Sequence, residues 1–201
     1  MRGYIVAGIG TEVGKTVVSA IFVQRMGADY WKPVQAGELG RSDTQVVREL
    51  APAGVCFHPE AYRLKQAMSP HAAAESEGVL LLREKMTLPQ SANTLVVEPA
   101  GGLLVPLAPD LSNMDLIQDW NLPVVLVSSY YLGSINHTLL SVEAMVSRQI
   151  SIMGLVFNGR PVESTRQAIL ENTGLPLLLE IDHSARIDAA WVNEQAGRLR
   201  L

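Results

Sequence analysis

The stretch Val6-Ala7-Gly8-Ile9-Gly10-Thr11-Glu12-Val13-Gly14-Lys15-Thr16 decides the reading of this chain. A short apolar run, Tyr4-Ile5-Val6-Ala7, precedes the loop, and a longer one begins at Val17, giving strand, glycine-rich loop and helix. Glycines let a backbone wrap an anion without Cβ clashes, and successive N–H groups then point inward at the positive end of the following helix. Lys15 adds a mobile positive charge for β- and γ-phosphate oxygens, and the Thr16 hydroxyl is placed to ligate Mg2+. Gly14-Lys15-Thr16 is the ending of a P-loop. The spacing departs from the common pattern: Ile9 stands where the first glycine usually falls, so that counted from Gly8 the loop is one residue longer.

Composition bounds what this loop serves. The 201 residues fit one domain spanning the whole chain, and 48% of them are hydrophobic, enough for a substantial core. A net charge of −4 with no basic run argues against a nucleic-acid surface. The single cysteine, Cys56, excludes an intrachain disulfide and fits a reducing cytosol; between Val55 and Phe57 it reads as a small packed residue. No stretch approaches the roughly 18 apolar residues of a membrane span, and no signal-like apolar segment opens the chain, so the expectation is a soluble, cytoplasmic protein.

Working outward from the loop, residues 5–7 read as a buried strand and Lys15–Met26 as a helix. Tyr30 and Trp31 suit a short strand that Pro33 stops, which leaves Lys32 at a strand end. Lys32 admits two readings, a group placed for chemistry or a solvated surface lysine. Ser42-Asp43 opens a helix, Asp43–Leu50, where Asp43 is either a cap or a ligand. Residues 51–93 lack a strong strand signal; Ser69-Pro70-His71 looks like a helix entrance, and residues 79–86 read as another short helix. Residues 94–97 form a clear apolar strand running into Glu98-Pro99-Ala100-Gly101-Gly102. A carboxylate there needs a partner: a metal ion beside the P-loop, or the Gly101-Gly102 amides.

Residues 115–120 end a helix, 123–127 form a third buried strand, and Leu132-Gly133-Ser134-Ile135-Asn136-His137 begins a helix reaching about residue 148. That polar helix start is either an anion site or a plain Ser134 cap. Residues 152–157 form a fourth strand, followed by Asn158, which either presents its amide to a base or makes a turn. A helix over 163–172, a strand over Leu177–Ile181 and a helix over 189–200 complete the chain. Strands without period-two alternation, separated by helices, indicate a doubly wound α/β fold, a mostly parallel sheet covered on both faces. In such a sheet the P-loop, Lys32, Glu98, Gly133 and Asn158, all just after strands, converge on one edge.

These stretches together resemble the dethiobiotin synthetase family. The resemblance rests on Gly8 to Thr16 with its long spacing, Lys32-Pro33-Val34, Ser42-Asp43, Ser69-Pro70-His71, Val97-Glu98 with Ala100-Gly101-Gly102, Leu122-Pro123-Val124 and Leu132-Gly133-Ser134-Ile135-Asn136-His137. It implies an ATP- and Mg2+-dependent ligase of biotin synthesis that carboxylates 7,8-diaminononanoate with CO2 and closes a ureido ring, working as a homodimer with its site near the interface. It further implies that Lys15 and Lys32 are catalytic, and that Thr16, Asp43 and Glu98 hold Mg2+. ATP would contact Glu12, Val13, Gly14, Lys15, Thr16, Val17, Asp43, Glu98, Gly101 and Asn158. The diamine would contact Thr11, Lys32 and Ala36, with Gly133, Ser134 and Asn136 supplied by the other subunit. This chain departs from the family pattern at Gly10 (usually Asp), Ala36 (often Ser), Pro99 (usually Gly) and Asp182-His183.

A different class, the ParA/MinD-like switch ATPases, shares a deviant P-loop and a related sheet. Those proteins place a second lysine early in the loop, where this chain has Ile9, Gly10, Thr11 and Glu12.

Overall fold

The computed structural model describes residues 2–201. Its centre is a seven-stranded sheet in which every pairing is parallel. The strands, by position in the chain, are β1 (Gly3–Gly8), β2 (Asp29–Trp31), β4 (Phe57–His58), β6 (Leu95–Val97), β9 (Val124–Ser129), β10 (Ile152–Asn158) and β11 (Leu177–Ile181), in spatial order β11-β10-β9-β1-β6-β2-β4. Two small sheets flank it: a parallel pair β3 (Val34–Ala36) with β5 (Tyr62–Leu64), and a hairpin β7 (Pro106–Ala108) with β8 (Leu111–Ser112).

Both faces of the large sheet are apolar, which explains why the strands read as continuous hydrophobic runs. Along β1, Ile5 and Ala7 join one core and Val6 the other; along β9, Val124 and Leu126 part from Val125 and Val127 in the same way. Helices α1 (Lys15–Met26), α2 (Asp43–Leu50) and α7 (Ala189–Arg198) cover one face. On the other face lie α3 (Pro70–Ser76), α4 (Asn113–Trp120), α5 (Ser134–Ser147) and α6 (Glu163–Thr173). Each fully buried Val, Ile or Leu contributes roughly 1.5–3 kcal/mol, so the two cores dominate stability.

Helix ends follow local chemistry. The Ser42 hydroxyl accepts from Gln45 N while Gln45 Oε1 accepts from Ser42 N, a reciprocal capping box that starts α2 at Asp43. Pro70 takes the first position of α3, although Ser69 makes no side-chain cap bond.

Two expectations are corrected, and one weak signal is explained. Residues 79–86 do not form a helix; only Arg83–Met86 turns, as a 3-10 segment. Leu80 is 78% exposed there, and the Leu82 N–H is taken by the Tyr62 hydroxyl rather than by a helical carbonyl. Residues 51–93 contain β4 and β5, strands of two and three residues, too short to leave a hydrophobic run. Cys56 is exposed rather than packed, because it precedes β4 at the outer edge of the sheet. Among the described residues no helix is long and apolar enough to cross a membrane.

Candidate active site

Because the sheet is parallel, the C-terminal ends of β1, β2, β6, β9 and β10 share one edge, and the side chains singled out at those ends approach each other there. The P-loop joins β1 to α1. Gly14, in the left-handed region at φ 94°, is the residue before the helix, and a Cβ on it would lie 2.1 Å from Asn158 Nδ2. Asn158 donates instead to the Val13 carbonyl at 3.0 Å, tying the end of β10 to the loop backbone. A bridge between Gly8 and Gly102 ties the loop to the turn after Glu98. That turn is held by Asn113, whose Nδ2 donates to Ala100 O at 2.5 Å and Gly102 O at 2.8 Å.

Lys15 is buried and folds back to donate to Gly10 O at 2.7 Å. Burial lowers its pKa to about 8, against the attraction of Glu98 and Asp43 and with the repulsion of Lys32. Lys32 is only 4% exposed, so the reading of it as a solvated lysine falls. Its Nζ lies 2.6 Å from Asp43 Oδ2 and 3.1 Å from Glu98 Oε1. Burial alone pushes the Lys32 ammonium down, but the two carboxylates outweigh it and hold it above its ordinary value. For Asp43, burial likewise opposes the charge, and Lys32 with the Thr16 hydrogen bond holds the carboxyl below its usual range.

The Thr16 hydroxyl faces both acids, 3.1 Å from Asp43 Oδ1 and 2.9 Å from Glu98 Oε1. It has one proton, so it can donate to only one of the two acids at a time. Three oxygen-bearing side chains converging beside a phosphate loop are a donor set that fits Mg2+, a hard cation bound by oxygen. Two partners of this cluster are absent from the sequence reading. The fully buried Tyr30 hydroxyl donates to Glu98 Oε2 at 2.9 Å. Gln35 accepts from Asp43 N at 3.2 Å and donates to Gly37 O at 3.1 Å, bracing the start of α2. Finding either one needed the β2–β6 register (Trp31 beside Val97) or the path of the chain after Pro33.

A pocket of about 230 Å3 opens beside these charges, with Thr11, Lys32, Ala36, Asp43, Gly101 and Pro70 in its wall. Of the residues expected to touch substrate, Thr11, Lys32 and Ala36 thus share one cavity. Gly133, Ser134 and Asn136 do not line it. They sit at the start of α5, where Gly133 and Asn136 are exposed and Gly133 at φ 100° is the N-cap. Ser134 is therefore not the cap, and its buried Oγ has no hydrogen-bond partner. Glu12 is exposed with φ 57°, Val13 is buried, and Val17 lies in the first turn of α1. At the far side, Asp182 and His183 are exposed after β11.

Comparison with known proteins then decides the family. A family model described as an AAA domain matches residues 2–190. The chain is 45% identical over 201 residues to the ATP-dependent dethiobiotin synthetase BioD of Cytophaga hutchinsonii, the alignment covering 99% of this chain and 97% of that protein. The chain belongs to the dethiobiotin synthetase family. Its relatives include the BioD proteins of Chlamydia abortus, 42% identical with 96% and 92% covered, and of Christiangramia forsetii, 44% identical with 99% and 96% covered. Solved structures share the fold at low identity. A ParA family ATPase from Chlorobium tepidum superposes with a TM-score of 0.60 at 10% identity, covering 97% of each chain. A nucleotide-binding protein in complex with ADP from Archaeoglobus fulgidus gives 0.53 at 13%, covering 98% of this chain and 87% of that one. For this synthetase family member, the ParA likeness describes the sheet and its helices; the near-full-length identity lies with the synthetases.

Proposed function

We propose that residues 1–201 act as one synthetase domain that converts 7,8-diaminononanoate, CO2 and ATP to dethiobiotin, ADP and phosphate. The observation that carries this reading is the placement of Lys32: buried, charged, held between Asp43 and Glu98, and forming a wall of the pocket beside the P-loop. Such a lysine can hold a second anion next to a γ-phosphate, which a simple ATP hydrolase does not need.

The reaction has three steps. An amine of the substrate captures CO2 and loses a proton, giving a carbamate. A carbamate oxygen attacks the γ-phosphorus and ADP departs, leaving a carbamic–phosphoric anhydride. The second amine attacks the carbamoyl carbon, the ureido ring closes and phosphate leaves. Phosphoryl transfer of this kind needs positioning and charge neutralisation more than covalent help. Lys15 leaves Gly10 O to meet the β- and γ-phosphate oxygens. Lys32 holds the carbamate against the γ-phosphate, two anions that otherwise repel. Thr16, Asp43 and Glu98 would hold Mg2+, which would supply neutralisation of the phosphate charge. Glu12, Val13, Gly14 and Val17 line the phosphates, and Gly101 and Asn158 contact the nucleoside side. Thr11 and Ala36 border the diamine.

We further propose a cytoplasmic homodimer in which Gly133, Ser134 and Asn136 bind the tail carboxylate of substrate seated in the partner's pocket. None of the three lines the pocket of its own chain, which supports this, as does the apolar surface around them: Leu132 is fully exposed just before α5, and Ile135, Leu140 and Val146 are exposed on it.

The test is product formation. ADP and phosphate should appear only when diamine and CO2 are both supplied, and Lys32→Ala should lose most turnover while still binding ATP. Full activity in that variant removes Lys32 from the mechanism; hydrolysis independent of the diamine removes the assignment.

A further inference from the structure

Alongside β2, between Asp29 at its start and the edge strand β4, lies a second cluster that the proposed reaction does not use. Asp29, Cys56 and His58 each present one donor atom, a carboxylate oxygen, a thiol sulfur and a ring nitrogen, all within 4.8 Å of one another. They sit on adjacent, register-fixed strands: Tyr30 pairs with Phe57, and Tyr30 N donates to Cys56 O at 2.9 Å. The His58 Nε2 atom is buried and has no hydrogen-bond partner. It lies 3.9 Å from Asp29 Oδ2, too far for a hydrogen bond. Two bonds of about 2.1 Å meeting at one cation span that gap, with a modest closing of the angle toward tetrahedral.

The Asp29 carboxylate is already oriented. Its Oδ1 accepts from Cys56 N at 2.8 Å and Asn93 Nδ2 at 3.2 Å, and its Oδ2 accepts from Ser91 Oγ at 2.7 Å. Outer hydrogen bonds of this kind fix a ligating carboxylate. Cys56 is exposed, so solvent and a cation can reach the group from its side.

We infer that Asp29, Cys56 and His58 form a binding site for a borderline divalent transition-metal cation such as Zn2+. The mixed sulfur, nitrogen and oxygen set selects such a cation over Mg2+ or Ca2+. Binding exchanges the Cys56 thiol proton for the metal and releases it to solvent. The bound ion clips the two-residue edge strand β4 to β2, whose middle residue is Tyr30 and whose far end, Trp31, leads into Lys32. It acts on the fold, at a distance from the phosphate site.

The test uses the full, metal-free chain without a histidine tag, kept reduced by a thiol-free reductant and titrated with Co2+. The chain has one cysteine, so any thiolate-to-cobalt charge-transfer absorption reports on Cys56 alone. A band saturating at one equivalent, displaced by Zn2+ and untouched by excess Mg2+, is expected. Cys56→Ser should abolish the band, and Ser91→Ala, which loosens Asp29, should weaken Co2+ binding about tenfold. His58→Gln should weaken it further, and Zn2+ should raise the melting temperature of the parent but not of Cys56→Ser. Absence of the band in the parent, displacement by Mg2+, or unchanged cobalt affinity in His58→Gln overturns the site.

Discussion

The Tyr30 hydroxyl, fully buried in the sheet, donates to Glu98 Oε2 at 2.9 Å, while the other oxygen of the same carboxylate faces Thr16 and Lys32. Burial first, and the Glu98 charge second, hold the phenol pKa well above its ordinary value, so Tyr30 stays a donor across the working pH range. Tyr30→Phe leaves a buried charged acceptor without its partner, a loss of about 1–3 kcal/mol. Thermal melting should fall by about 2–4 °C per kcal/mol lost. Glu98 is then held only through its other oxygen, by Thr16 and Lys32, and the Mg2+ concentration for half-maximal turnover should rise. A variant that melts and uses Mg2+ like the parent would show that the bond orients nothing.

Much of this arrangement could be read before the fold was known, and the limits have physical causes. β1, β9, β10 and β11 are buried on both faces, so they announce themselves as apolar runs. β3, β4, β5, β7 and β8 have two or three residues and no run to recognise. The approach of Lys32 to Glu98 was legible because both follow strands of a parallel sheet, and the structure adds that Asp43 closes the group. Tyr30 was not legible: in sequence it is one more aromatic strand residue, and its phenol reaches Glu98 only through the β2–β6 register. The Cys56 reading failed for the same reason. Its apolar neighbours Val55 and Phe57 say nothing about lying at the sheet's outer edge.

Lys15 should make ATP binding pH-dependent on the alkaline side. In the free protein its pKa is lowered to about 8, burial being the main cause. Phosphate oxygens favour the ammonium, so the pKa rises on binding. Below pH 8 the lysine is charged in both states and affinity is flat. Above it, binding must first take up a proton, and affinity should weaken by up to about tenfold per pH unit. Calorimetry in buffers of different ionisation enthalpy should show proton uptake at pH 9 and little at pH 7. Equal proton uptake at both values would place the Lys15 pKa elsewhere.

Two glycines of the same loop should respond oppositely to substitution. Around Gly10 a Cβ meets nothing within 4 Å, so Gly10→Asp should fit with a stability change within about 0.5 kcal/mol. Its carboxylate adds negative charge to the segment that Lys15 already contacts, so the alkaline fall in ATP affinity should move to higher pH. Gly14→Ala instead meets φ 94° and Asn158 Nδ2 at 2.1 Å. Strain of about 1–3 kcal/mol, with loss of the Asn158 bond to Val13 O, should lower both melting temperature and ATP affinity. Comparable behaviour of the two variants would argue against this loop geometry.

Gly133, Ser134 and Asn136 lie outside the wall of the Lys32 pocket, which makes the proposed shared site testable by mixing subunits. Lys32→Ala removes a wall of the pocket, and Ser134→Ala with Asn136→Ala removes the proposed carboxylate contacts; each homodimer should be impaired. In a dimer of one subunit of each kind, one site combines the intact pocket of the second subunit with the intact α5 start of the first. The other site carries every defect. Random pairing makes half of the dimers mixed, each with one sound site, so co-expression should restore about a quarter of parental activity if the partners meet through one two-fold interface. If each chain completed its own pocket, mixing would restore nothing, because no active site could escape the defects of its own subunit. The recovery therefore reads out whether residues 133–136 serve the partner, independently of how strongly the dimer holds together.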